Sequence, residues 1–150
     1  MNYAIRPLTA ADADAIAGWR YPGEYRFYDF DQDPDDLAEL LDPAEWGTRY
    51  FAADVHGELA GYLIFKQHDD EVEIGLGLRP DLTGRGHGAG FLEAGLCFAA
   101  DRYGTRRAAL AVAAFNRRAI RVYERAGFRA ARRYEHATNG GVHPFIRMER

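Results

Sequence analysis

Four glycines at every second position, Gly84, Gly86, Gly88 and Gly90, lie between an apolar alternating segment and a helical one. Without side chains, such a run can take positive φ and turn successive backbone N–H groups into one concavity, where the dipole of the following helix adds partial positive charge. That is the chemistry of anion binding, with phosphate or pyrophosphate as the guest. A P-loop is excluded, because no Lys follows any of these glycines. Gly84 to Ala89 does satisfy the dinucleotide fingerprint G-x-G-x-x-A. The acidic residue due about twenty positions later, at the end of a second strand, would however be Asp101, inside a helix.

The elements that must position this loop can be read on both sides of it. Tyr3 to Pro7 reads as a strand, and Thr9 caps a helix running to about Trp19. Asp33-Pro34-Asp35-Asp36 starts a second helix with Leu37, Leu40 and Leu41 on one face. Arg49 to Asp54 and Leu59 to Lys66 form an antiparallel pair about a His56-Gly57 turn. Val72, Ile74, Leu76 and Leu78 then alternate with Glu71, Glu73, Gly75 and Gly77 as a central strand. After the glycine loop, Phe91, Leu92, Leu96, Ala99 and Tyr103 mark a helix ended by Gly104. Ala108 to Phe115 is a strand, Asn116 caps a helix to Ala126, Gly127 stops it, and two last strands flank Asn139-Gly140-Gly141. The order is βα(α)βββαβαββ, an α/β protein with a mixed sheet of about seven strands and about four helices in one domain, residues 1–150.

Two strands lack bulk on one face, the first at Gly75 and Gly77, the second at Ala109, Ala111 and Ala113. Small residues there admit either close helix packing or an extended ligand exchanging amide hydrogen bonds with the strand, and the neighbouring anion loop favours the ligand. Tyr123 shares a helix face with Ala119 and Ile120, which by pattern alone fits a core tyrosine. Asn116 by itself is a helix cap.

The segment Leu78-Arg79-Pro80-Asp81-Leu82-Thr83-Gly84-Arg85-Gly86-His87-Gly88 resembles the acyl-CoA loop of the GNAT superfamily of N-acetyltransferases. Asn116 to Phe128 resembles that superfamily's second motif, N-x-x-A-x-x-x-Y-x-x-x-G-F, at the expected distance. The strong likeness runs from about Val72 to Phe128. One departure stands out: the superfamily usually has Gln or Arg where this chain has Thr83, although Arg85 could supply a charge two positions later.

The resemblance implies acetyl-CoA as co-substrate, its pyrophosphate on the amides of Gly84, Arg85, Gly86, His87, Gly88 and Ala89; the His87 side chain, from its place inside the loop, either touches phosphate or faces solvent. It implies pantetheine paired with backbone at Leu76 and Leu78, and a bulged strand whose N–H near Leu78 polarises the thioester carbonyl as an oxyanion hole. It implies Tyr123 as the acid that protonates the departing thiolate and Asn116 as a further contact to the cofactor. Glu73, on the cofactor-binding strand, is the candidate base, with Glu71 one step nearer the strand end or water as alternatives.

Other constellations lead elsewhere. A net charge of −4 and pI near 5.7 argue against nucleic acid, and no apolar run approaches membrane-spanning length. A single cysteine and no signal peptide read as cytoplasmic. Asp29, Asp31 and Asp33 imitate half of a calcium loop, but Pro34 and Leu40 break it, and the histidines are scattered without metal spacing. No metal is expected. Cys97 reads as a buried, inert thiol. Trp19, Tyr21, Tyr25, Phe27, Tyr28 and Phe30 crowd one segment, mostly as packing, with one or two lining an acceptor pocket where Glu24, Asp29 and Asp31 would attract a cationic amine. The expected activity is acetyl transfer from acetyl-CoA to a primary amine of a small molecule or amino-acid derivative, by direct attack in a ternary complex. A protein N-terminal or lysine acetyltransferase, or a non-catalytic acyl-CoA-binding module, is the alternative, and a homodimer is one assembly open to it.

Overall fold

A computed structural model describes residues 1–150. Three of its four main helices start where a short polar side chain takes up free backbone N–H groups. Thr9 caps α1 (Ala10–Ala17), with Asp12 completing a capping box. Asp33 accepts from the N–H groups of Asp35 and Asp36 to open α2 (Pro34–Leu41). Asn116 accepts from Ala119 N–H at 3.1 Å to open α4 (Arg117–Arg125). α3 (Gly88–Tyr103) has no side-chain cap at its start and ends on Gly104 in the left-handed region.

The strands are β1 (Ala4–Pro7), β2 (Tyr50–Val55), β3 (Glu58–His68), β4 (Glu71–Leu78), β5 (Arg107–Ala113), β6 (Arg129–Thr138) and β7 (Gly141–Glu149). They form one sheet in the order β1-β2-β3-β4-β5-β7-β6, antiparallel throughout except between β4 and β5. Both expected tight turns form: His56 and Gly57 take φ of 52° and 79°, and Asn139 and Gly140 take 53° and 73°, the positive angles that match hairpin twist.

Alternation along the strands divides the core in two. Phe51, Leu63, Phe65, Val72 and Ile74 face α3 and α4, packing with Phe91, Leu92, Leu96 and Phe128. Tyr50 and Ala52 face the other way, against Ile16 of α1, Leu40 of α2 and Trp46.

Four expectations need correction. β4 carries no bulge against β3, because its register is unbroken from Gly61↔Leu78 to His68↔Glu71. β5 ends at Ala113 rather than Phe115, where the chain turns to cap α4. Cys97 is exposed: it lies one turn from Glu93, whose carboxylate its thiol faces, outside the buried stripe of α3. The aromatic segment is ordered into 3₁₀ turns at Gly23–Tyr28 and Phe30–Gln32 rather than a loop.

Candidate active site

Three residue pairs join β4 to β5, the last being Glu73↔Ala109. Beyond that point β5 stays with β7, from Ala109↔Glu149 to Ala113↔Phe145, while β4 stays with β3. The sheet therefore parts, and a cleft of about 770 Å³ opens through the gap. Arg79 N–H donates to Ala60 O at 2.8 Å, so the antiparallel alternation turns the odd-numbered backbone groups of β4 towards β3. Those of Ile74, Leu76 and Leu78 point the other way, into the gap. Leu76 and Leu78 therefore offer N–H and C=O groups to whatever lies there, and the Leu78 carbonyl already accepts from the Tyr21 hydroxyl at 2.7 Å.

The glycine loop forms one end. Gly84 and Gly86 adopt φ of 70° and 82°, whereas Gly88 and Gly90 belong to the first turn of α3, so only the first two need the left-handed region. None of the backbone N–H groups from Gly84 to Gly90 donates within the protein; the next in line, that of Phe91, donates to His87 O at 3.1 Å. Free amides at a helix start, beside Thr83, Gly84, Gly86, Gly88 and Ala89 in the cleft wall, make an anion cradle. The side chains of Arg85 and His87 stand outside that wall.

Tyr123 reaches the cleft from α4, half-buried, with its ring 6.1 Å from that of Phe128. Burial first, then the hydroxyls of Tyr28 and Tyr62, push its pKa well above the ordinary tyrosine value, and no side chain hydrogen-bonds its hydroxyl. Asn116 lines the same wall, but both ends of its amide are occupied: Oδ1 caps α4, and Nδ2 donates to the Tyr28 hydroxyl at 3.1 Å. Glu73 also faces the cleft, with His68 Nε2 at 3.6 Å. Glu71, on the same face of β4, lies outside the cleft lining and is held in an ion pair by Arg147. Of the small residues, Gly75 and Ala111 are exposed in the wall, while Gly77 is covered by the Tyr62 ring: a methyl group there would lie 2.4 Å from it. Ala109 and Ala113 are buried, which is what packing alone would require of them.

Elsewhere in the lining, four aromatic residues of the crowded segment face the cleft, Tyr21, Tyr25, Tyr28 and Phe30, rather than one or two. The acids expected beside them serve other purposes, since Asp29 accepts from Tyr21 N–H and Asp31 pairs with Arg20. Asp36 and Glu39, one turn apart on α2, line it instead. Burial raises the Asp36 pKa, and Asp33 and Glu39 raise it further, while Glu39 accepts from the Tyr50 hydroxyl at 2.6 Å. Sequence reading missed both, and Arg118 as well; the acidic start of α2 looks like helix capping until the fold turns it inward.

Residues 3–129 match the Acetyltransferase (GNAT) domain. The chain belongs to the GNAT acetyltransferase family, whose members use acetyl-CoA. It is 38% identical over 136 residues to the mycothiol acetyltransferase of Clavibacter sepedonicus, covering 85% of this chain and only 43% of that relative. Among solved structures, the spermidine N-acetyltransferase of Vibrio cholerae in complex with CoA and spermine matches with a TM-score of 0.77 at 19% identity, covering 99% of this chain and 94% of that one. A GNAT-family acetyltransferase of Bacillus anthracis matches with a TM-score of 0.76 at 17% identity, over 100% and 95%. At these identities the structural likeness establishes a shared fold.

Proposed function

We propose that this chain transfers the acetyl group of acetyl-CoA to a primary amine of a small cationic molecule or amino-acid derivative, by direct attack in a ternary complex. One observation carries the reading: the parted β4–β5 pair opens a cleft whose wall holds both a cradle of free amides and a set of carboxylates and aromatic rings. The amides of Gly84 to Ala89 suit the pyrophosphate, and the backbone groups that Leu76 turns into the gap, with the second lone pair of the Leu78 carbonyl beside the Tyr21 hydroxyl, suit the amides of pantetheine. The Leu78 N–H then faces the position of the thioester carbonyl, where a fixed dipole opposes the charge that develops during attack. Glu73 takes the amine proton directly or through water, the new C–N bond forms as the C–S bond breaks, and Tyr123 protonates the departing sulfur. Asn116 contributes by fixing the start of α4 and the ring of Tyr28.

Asp36 and Glu39 favour an acceptor that arrives as an ammonium ion, since crowded carboxylates near tyrosine rings gain from a cation. The likeness to a spermidine N-acetyltransferase solved with spermine is in line with a small amine of this kind.

The test is release of free thiol from acetyl-CoA across a panel of diamines, polyamines, amino sugars and amino-acid amides, with a melt of the protein alongside. Acetyl-CoA raises the melting temperature by linkage, whereas NAD and ATP do not. Tight NAD binding without CoA binding would overturn the cofactor assignment, and CoA binding without turnover on any amine would demote the chain to an acyl-CoA-binding module.

A further inference from the structure

We propose that Arg118, on α4, is the cationic anchor for the cofactor's pyrophosphate, filling the role that the glycine loop leaves open at Thr83. This rests on the acetyl-CoA reading above. A pyrophosphate brings full negative charge against amides that carry only partial positive charge, so a guanidinium beside the cradle gains charge-assisted hydrogen bonds that amides alone do not supply.

The loop's own side chains are not placed for this. Thr83 donates its hydroxyl to Pro80 O at 2.7 Å. Arg85 stands outside the cleft wall. Arg118 stands where the charge is needed. A methyl group added to Gly84 would meet its Nη1 at 3.0 Å, which places the guanidinium directly against the loop backbone. It lines the cleft with no carboxylate partner, its Cζ lying 4.1 Å from the centre of the Tyr25 ring. Stacking of this kind holds the side chain in place without neutralising it, and leaves its N–H edge free to donate. Arg121 and Arg125 follow on the same face of α4 and keep the potential along the wall positive.

Calorimetric titration with CoA and with dephospho-CoA tests this and needs no acceptor. Arg118→Ala should weaken both ligands by roughly ten- to a hundredfold, the range for losing a charged hydrogen bond. It should also flatten the salt dependence of CoA binding, as removal of a phosphate contact does. Arg118→Lys should recover part of the loss, and Arg117→Ala, which removes an exposed arginine of the same helix outside the cleft wall, should change little. Arg118→Met separates charge from packing, since it keeps an unbranched chain against Tyr25: if it binds both ligands as the wild type does, Arg118 acts by packing against the aromatic segment and the proposal falls. A loss confined to CoA, with dephospho-CoA unaffected, would assign Arg118 to the 3′-phosphate and overturn the pyrophosphate assignment. No loss at all overturns it outright. Absence of CoA binding by the wild-type protein would instead strike the cofactor reading itself.

Discussion

A tyrosine hydroxyl ordinarily titrates near pH 10, and that of Tyr123 is held higher, first by burial and then by the neighbouring tyrosines. It keeps its proton throughout the neutral range, which suits a donor to a leaving thiolate and not a base. Tyr123→Phe should therefore lower kcat by roughly 10²–10⁴ while the melting temperature and the acetyl-CoA affinity stay close to wild type. Unchanged turnover would remove Tyr123 from the mechanism. Because the shift is upward, wild-type activity should show no loss attributable to this residue until the pH passes about 10. Glu73 behaves oppositely in the same profile. If it accepts the amine proton, the deficit of Glu73→Gln should shrink as pH rises towards the amine's own pKa, since the deprotonated acceptor needs no base. A deficit independent of pH would show that the carboxylate serves only its contact with His68.

Within the glycine loop and α3 the glycines are not equivalent, and substitution should sort them. Gly86→Val forces a branched side chain into φ of 82° and should abolish CoA binding, with the far-ultraviolet spectrum of the sheet retained. Gly90 is helical with open space around it, so Gly90→Ala should stabilise the protein by about 0.5–1 kcal/mol in a denaturant melt. Gly88→Ala meets Val122 at an ordinary 3.7 Å and should be tolerated. A Gly90→Ala protein less stable than wild type would contradict this view of the helix start. These elements were readable in the chain because their causes are local: the caps Thr9, Asp33 and Asn116, the turn pairs His56-Gly57 and Asn139-Gly140, and the alternation of β4 all lie within a few residues of what they determine. What escaped reading was convergence. Asp36, Tyr21 and Arg118 meet one cleft from α2, the segment before the first 3₁₀ turn and α4, and no periodicity ties them together. Cys97 failed for a related reason, since an apolar neighbourhood in sequence says little about which side of α3 a residue takes.

Over the whole molecule, the cleft is walled by tyrosines that resist ionisation: burial leads the causes raising the pKa of Tyr21, Tyr28, Tyr50, Tyr62 and Tyr123. A folded-state pKa above the unfolded one contributes stability that is complete below the unfolded value and is lost as pH rises beyond it. The melting temperature should accordingly hold up to about pH 10 and fall above it, with ionisation of these five rings, followed through ring-labelled tyrosine resonances, accompanying unfolding rather than preceding it. Titration of these rings in a protein that stays folded would refute their burial. The short seam between β4 and β5 has a mechanical consequence of its own. Only three rungs tie the half of the sheet from β1 to β4 to the half formed by β5, β7 and β6. A guest lodged between the halves takes the place of rungs that the chain omits, so it acts as a splint as well as a reactant. Amide exchange at Leu76 and Leu78 should slow when acetyl-CoA is added and quicken again once the thiol departs. The protein is then stiffest while it holds its charge and most pliant at the moment, and at the place, where the spent molecule must leave.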